Sequence, residues 1–128
     1  MEQIALLITS FLFGGMLLFA ASFGPIVLKN LEGNVARVFI RNTFPHFYIF
    51  VLVISFLAAV TVFAFAPFAS IALLAIFFST IPARQILMPA INAAADKGDR
   101  KKFKLLHALS VAITLAHIVI AGVVLCVL

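Results

Sequence analysis

Four polar side chains recur along the last apolar run of this sequence at the spacing of one helix face. Successive members are three, four and three residues apart, and the four are His107, Ser110, Thr114 and His117. Residues three and four positions apart lie above one another on a helix, so the four would form a single stripe. Because polar groups inside a bilayer are costly and usually face protein or water, we expect this stripe to face the bundle interior.

A second group of polar residues lies in the preceding apolar run. Arg84 occurs there and Asn92 follows four residues after its end, both close to two prolines, Pro82 and Pro89. Each proline leaves the carbonyl four residues earlier without its helical partner. We expect Arg84 and Asn92 to meet the start of the last run near the inner membrane surface, with Tyr48 of the second run closing the patch. The ligand-binding candidates are therefore Tyr48, Arg84, Asn92, His107, Ser110, Thr114 and His117.

A packing role is the alternative for the same residues. Arginine side chains near helix ends extend to the lipid headgroups. Ser, Thr and Asn side chains commonly form hydrogen bonds between helices, each contributing about 1 kcal/mol or less. The pattern of residue types is compatible with both roles.

The histidines raise a second hypothesis, a b-type haem or a copper ion held by His107 or His117. These two residues are ten positions apart, about 15 Å along a helix, so they cannot both be axial ligands of one haem. His46 is expected near the membrane depth of His107, as a second haem ligand would have to be. It falls on nearly the opposite helix face from Tyr48, however, so we expect His46 to lie at the membrane interface instead. A haem would then need a histidine from elsewhere, such as a second copy of the chain.

Signatures of enzymes are missing from the sequence. Its four acidic residues lie at the ends of the apolar runs or between them, and no phosphate-binding loop or nucleophile elbow is present. The single cysteine, Cys126, excludes an intrachain disulfide. We therefore expect no catalytic residues and a non-enzymatic protein.

The composition indicates the elements that position these residues. Hydrophobic residues make up 66% of the chain and charged residues 10%, too little charge for the surface of a soluble domain. Four apolar runs, at 4–28, 47–66, 68–88 and 105–128, each have the roughly 20 residues that a membrane-spanning helix needs. No run alternates as a barrel strand does, and only helices or closed barrels satisfy the backbone in lipid. The sequence predicts an all-α integral membrane protein, one four-helix transmembrane bundle over residues 1–128.

Charge placement predicts the topology. Lysine and arginine occur in the first and third connections and are absent from the N-terminus, the central turn and the C-terminus. The positive-inside rule then places the basic connections in the cytoplasm and both termini outside. Compact loops and no targeting segment favour a bacterial inner membrane. The net charge of +5 does not indicate nucleic-acid binding, because the charges separate apolar runs and no groove-reading motif accompanies them.

The connections themselves carry two further expectations. Residues 31–43 have polar and apolar sides at helical spacing, which predicts a short helix lying in the membrane interface. Residues 93–104 combine turn-forming and basic residues, which predicts a cytoplasmic loop that contacts anionic lipid. The expected interface anchors are Lys29, Arg37, Arg41, Lys101, Lys102 and Lys104.

Short motifs along most of the chain resemble those of a known family. In order they are Phe13-Gly14-Gly15-Met16-Leu17-Leu18-Phe19, Gly24-Pro25, Leu28-Lys29, Phe44-Pro45-His46-Phe47-Tyr48, Pro89-Ala90-Ile91-Asn92 and Phe103-Lys104-Leu105-Leu106-His107-Ala108-Leu109-Ser110. Together they are similar to the transmembrane-protein-205-like family of small four-span proteins. The resemblance implies a four-span fold without an established reaction, and a part in transport or resistance. The positions it supports are Gly14, Pro25, Tyr48, Asn92, His107 and Ser110, and it speaks against a ligand role for His46.

Three functions follow as hypotheses. The first is a membrane protein whose polar patch binds or exports a small ligand, an ion or a lipid, with a homo-oligomer providing a shared pathway. The second is a redox protein that holds haem b or copper. The third is an accessory subunit that docks onto a larger membrane complex.

Overall fold

Four long helices make up the structure, a computed structural model that describes residues 1–128 and the side chains at all positions other than 24 and 28. Each helix is long and apolar enough to cross a membrane, and the first to fourth spans are Glu2–Val27, Gly33–Val62, Pro67–Asp96 and Arg100–Val127. The predicted all-α membrane fold is thereby confirmed. In chain order the α-helical pieces are α1 (Glu2–Leu18), α2 (Gly24–Asn30), α3 (Gly33–Val62), α4 (Pro67–Pro82), α5 (Met88–Asp96) and α6 (Arg100–Val127).

The first and third spans each contain a π-helical segment, at Phe19–Phe23 and Ala83–Leu87. Each segment ends two residues before a proline, Pro25 or Pro89. Proline has no N–H, and its ring clashes with the carbonyl four residues earlier in a regular α-helix. One extra residue per turn moves that carbonyl aside, so both spans continue through their prolines instead of ending there.

The second span begins earlier than the sequence predicts. Residues 33–43 are helical, as expected, but they belong to α3 and do not form a separate interfacial helix. Pro45 lies inside α3 without ending it. The helix is held on both sides of this proline by packing: the Phe44 ring meets that of Phe19 at 5.3 Å, and the Phe47 ring stacks on Phe19 at 4.1 Å.

The first and third connections are shorter than predicted, and the central one is longer. The turn between the second and third spans covers residues 63–66, and Pro67 is the first residue of α4 and not the turn itself. Between the third and fourth spans only residues 97–99 are non-helical, in place of the expected loop 93–104. Gly98 takes a left-handed φ of 70° that suits the residue after a helix end, and the Asp99 carboxylate accepts from the Lys102 N–H at the start of α6.

The spans form a ring in which each contacts its two neighbours along the chain, and the fourth closes back onto the first. Buried positions on the first span follow spacings of four, three and four residues, and the third span repeats the same spacings. The two sets are Ala5, Thr9, Leu12 and Met16 on the first span, and Ala69, Leu73, Ile76 and Thr80 on the third. We call the end that carries the connections 31–32 and 97–99 the basic end of the bundle.

Close approach of the first two spans depends on Gly15. A Cβ at that position would lie 2.5 Å from the Phe50 ring, whereas a Cβ at the adjacent Gly14 would meet nothing within 4 Å. The Phe50 ring also packs edge-on against Phe11 at 5.2 Å. A side chain at position 15 must therefore displace an aromatic contact that joins the spans.

Gly15→Leu is expected to destabilise the bundle by about 1–3 kcal/mol, because overpacking forces Phe50 out of its position. Gly14→Leu, on the open side of the same turn, is the matched control and should cost little. The midpoint of unfolding in micelles, followed by circular dichroism, measures both. Equal midpoints for the two variants would contradict this packing.

Candidate functional site

Arg84 is the only charged residue in the four apolar runs, and it lies within the second π segment. It precedes Asp96, the last residue of the third span, by twelve positions, or about 18 Å of helix. Its Nε–H donates to the Pro45 carbonyl oxygen of the second span at 3.5 Å, and its Nη1 donates to Gln85 Oε1 at 3.0 Å. The guanidinium thus crosses between the second and third spans, and the only hydrogen-bond acceptors the structure describes for it are neutral.

Arg41 makes the reciprocal contact nearer the basic end. Its Nη2 donates to Asp96 Oδ1 at 2.8 Å and to the Asn92 carbonyl oxygen at 3.4 Å. Its Nη1 lies 3.5 Å from Asp96 Oδ2, and its Nε is buried without a partner among the described residues. An arginine of the second span therefore reaches the third, as Arg84 of the third reaches the second. The contact positions are one helical turn apart on the second span, at Arg41 and Pro45, but eight residues apart on the third, at Arg84 and Asn92.

Aromatic side chains fill the bundle at the depth of the first π segment. Phe19 stacks on Phe23 at 5.1 Å and on Phe47 at 4.1 Å, and Phe23 meets Phe39 at 5.6 Å. Tyr48 is buried beside Phe47, with ring centroids 5.7 Å apart. The structure places Tyr48 in this aromatic cluster, which packs the second span against the first.

The fourth span makes a part-buried polar contact with its neighbour through His117. His117 is buried, and its Nε2 lies 2.7 Å from Ser79 Oγ of the third span. The Ser79 hydroxyl lies 2.7 Å from the Ala75 carbonyl oxygen. A hydroxyl carries one proton, so when it donates to that carbonyl, the His117 Nε2–H donates to Ser79 Oγ. Sequence reasoning identified His117 and missed Ser79, because one serine in an apolar helix gives no signal of its partner.

The remaining members of the predicted stripe have separate surroundings. Ser110 is buried, and its hydroxyl donates to the His107 carbonyl oxygen of its own helix at 2.8 Å. The His107 side chain is exposed and stacks on Phe103 with ring centroids 5.7 Å apart. Thr114 is half-buried. None of the described hydrogen bonds joins His107, Ser110 or Thr114 to Arg84. Asn92 forms a described contact only through its backbone carbonyl, which accepts from Arg41.

The histidines lie in different environments. His46 is exposed, and its Nδ1 lies 3.1 Å from the Asn42 carbonyl oxygen of the preceding turn. Among the described residues, no group of three or more His, Cys, Asp or Glu side chains is placed to hold a metal ion. The hypothesis of haem or copper at His107 or His117 stays a prediction.

The predicted anchors lie around the basic end. Lys29, Arg37, Lys101, Lys102 and Lys104 are exposed there, whereas Arg41 is half-buried by its contacts with the third span. Sequence reasoning treated Arg41 as an anchor and gave Asp96 no role. The structure shows that these two residues pair across the bundle.

The pair Ser79 and His117 should show a coupling energy. A double-mutant cycle with Ser79→Ala and His117→Ala, measured by unfolding in micelles, is expected to give about 0.6–1.7 kcal/mol, the range of hydrogen bonds between helices in a membrane. Ser110→Ala is the control, because Ser110 bonds within its own helix and should not couple to Ser79. Zero coupling between Ser79 and His117 would contradict the assigned contact.

Comparison with known proteins gives one match. No curated protein and no solved structure matches the chain. Residues 7–100, which include Arg41, Arg84 and Asp96, match the family described as "Domain of unknown function (DUF4149)". Because the match covers well over half of the sequence and three of the four spans, the chain belongs to this family.

Proposed function

We propose that this membrane protein binds an anionic ligand through Arg84, at the interface of the second and third spans that we call the arginine seam. The observation that carries the proposal is the set of partners around Arg84, which among the described residues offers its charge two neutral oxygens and no carboxylate. A charge within the apolar layer is costly and marks a functional position by default. An anion from the membrane or the cytoplasm would supply the missing counter-charge.

The geometry of the hydrogen bond between Arg84 and the Pro45 carbonyl supports the replacement of this carbonyl by a ligand. At 3.5 Å the contact to the Pro45 carbonyl is at the long limit of a hydrogen bond, so a better acceptor would replace it at small cost. A guanidinium has five N–H donors in a planar fork that matches oxyanions such as carboxylate and phosphate. The π segment around Arg84 adds to this, because such segments are frequent at functional sites.

The proposed setting combines the remaining expectations. The basic end is cytoplasmic by the distribution of lysine and arginine, both termini are outside, and the membrane is a bacterial inner membrane. The protein is non-enzymatic, and if it moves its ligand, it does so as a homo-oligomer, because four helices enclose little space. The motif resemblance to the transmembrane-protein-205-like family favours a role in transport or resistance. The alternative function is that of an accessory subunit of a larger membrane complex.

Arg84→Gln is expected to weaken binding of an anionic amphiphile at least about tenfold, the effect of losing a hydrogen bond to a charged group. Oleate and phosphatidylglycerol are the probes, phosphatidylcholine is the zwitterionic reference, and native mass spectrometry of protein released from micelles measures the bound fraction. The matched control is Arg37→Gln, which removes an exposed arginine from the second span.

Two outcomes would contradict the proposal. Equal binding by wild type and Arg84→Gln, with both folded, would show that the seam is a packing feature. Loss of binding in His107→Ala but not in Arg84→Gln would move the site to the third and fourth spans.

A further inference from the structure

A groove runs along the first span where its π-helical segment lies. The groove has a volume of about 370 Å³, which is within the range of ligand sites in proteins. All of its described lining residues belong to the first span, and three of them lie in the π segment. We call it the π groove, and it is lined by Gly15, Leu18, Phe19, Ser22, Phe23 and Ile26.

The π groove has an exposed rim and a floor that the second span supports. Leu18 and Ile26 are 67% and 57% exposed, so the groove opens towards the surroundings of the bundle. Phe19 and Phe23 are half-buried and stack on each other at 5.1 Å. Phe19 also stacks on Phe47 of the second span at 4.1 Å. Because these contacts fix the aromatic floor, the groove is formed before any ligand enters it.

The lining of the π groove is suited to a hydrocarbon chain. Ser22 is the one polar side chain among the described lining residues, and none of them is charged. Such a surface offers little to an ion or a polar solute, whereas a chain lying in a concave apolar groove makes many dispersion contacts. The π segment itself agrees with a binding role, because such segments are frequent at functional sites.

The length and depth of the π groove match one leaflet of a bilayer. Gly15 and Ile26 are eleven residues apart, about 16 Å along a helix, and the hydrocarbon core of a bilayer is about 30 Å thick. Ile26 directly precedes Val27, where the first span ends at the basic end of the bundle. The groove therefore covers the half of the membrane nearest the basic end, which is the length that one acyl chain occupies there.

A cation follows the π groove at its basic end. Lys29 is exposed and lies on α2, three residues after Ile26. Residues three positions apart lie above one another on a helix, so Lys29 continues the side of the groove into the headgroup layer. Lysine side chains at this depth attract anionic lipid headgroups. The order along the span is an apolar groove and then a positive charge, which is the complement of an anionic phospholipid.

We propose that the π groove binds one anionic phospholipid from the leaflet at the basic end, with an acyl chain on the floor formed by Phe19 and Phe23 and the phosphate beside Lys29. This site lies on the first span, whereas Arg84 contacts the second span from the third. The inference is therefore independent of the proposed function.

Photolabelling in nanodiscs tests the position of the chain. Phosphatidylglycerol that carries a diazirine on one acyl chain, at low mole fraction in phosphatidylcholine, is expected to label residues 15–26 in preference to the other spans. Mass spectrometry of proteolytic fragments measures the labelling. Ser22→Leu fills the groove and should lower the labelling of this segment at least about fivefold. The matched control is Gly14→Leu, which adds the same side chain at an exposed position outside the groove and should change nothing.

Lys29→Gln tests the headgroup contact. It should lower the labelling of residues 15–26 by phosphatidylglycerol about fivefold, the effect of one lysine on an anionic lipid. Labelling by phosphatidylcholine with the same diazirine chain should stay unchanged. Lys101→Gln, which removes an exposed lysine of the fourth span, is the control. Only labels on the first span are compared, so a lipid bound at Arg84 does not contribute.

Three results would overturn the inference. Equal labelling of residues 15–26 in wild type, Ser22→Leu and Gly14→Leu would show that this segment contacts annular lipid only. Unchanged labelling by phosphatidylglycerol in Lys29→Gln, or an equal loss with both lipids, would exclude recognition of the anionic headgroup. An unlabelled groove, together with a dimer in native mass spectrometry that Ser22→Leu dissociates, would show that a second copy of the chain covers the groove. Circular dichroism of each variant excludes unfolding as the cause of any loss.

Discussion

A guanidinium ion in the apolar layer must find oxygen acceptors in the protein or among lipid headgroups, and the arrangement of the second and third spans reflects that need. Arg84 uses the Pro45 carbonyl and the Gln85 amide, while Arg41 uses Asp96 and the Asn92 carbonyl. These contacts lie along one interface because the two helices are antiparallel neighbours. The positive charge of Arg84 remains unmatched by any described carboxylate, and this is the basis of the proposal that an anion binds there.

The first and third spans continue through their prolines, and this positions the residues that contact the second span. The π segments at Phe19–Phe23 and Ala83–Leu87 absorb the clash that Pro25 and Pro89 would cause in a regular helix. The first π segment packs Phe19 and Phe23 against the second span, and the second π segment carries Arg84. The two widened segments therefore contact α3 in different ways, the first through aromatic packing and the second through the hydrogen bond of Arg84.

The sequence was sufficient to predict the helical class and the number of spans, because both depend on the length of apolar runs. It was insufficient at the connections, where Gly98 and Asp99 form a turn much tighter than a count of polar residues suggests. Among the site residues, Arg84 stands out because charge is rare in apolar runs. Its partner at Pro45 and the pairing of Arg41 with Asp96 depend on how the spans pack, and no periodicity within one helix contains that information. The contact between Ser79 and His117 was missed for the same reason.

The most direct measurement of the central claim is the distance between the Arg84 guanidinium nitrogens and a lipid phosphorus atom. Solid-state NMR dipolar recoupling between ¹⁵N and ³¹P, on protein with labelled arginine in bilayers that contain phosphatidylglycerol, measures it. The account predicts a coupling for about 4 Å, the separation in a hydrogen-bonded arginine–phosphate pair, which is lost in Arg84→Gln and kept in Arg37→Gln. A coupling that is absent, or unchanged by Arg84→Gln, would contradict it.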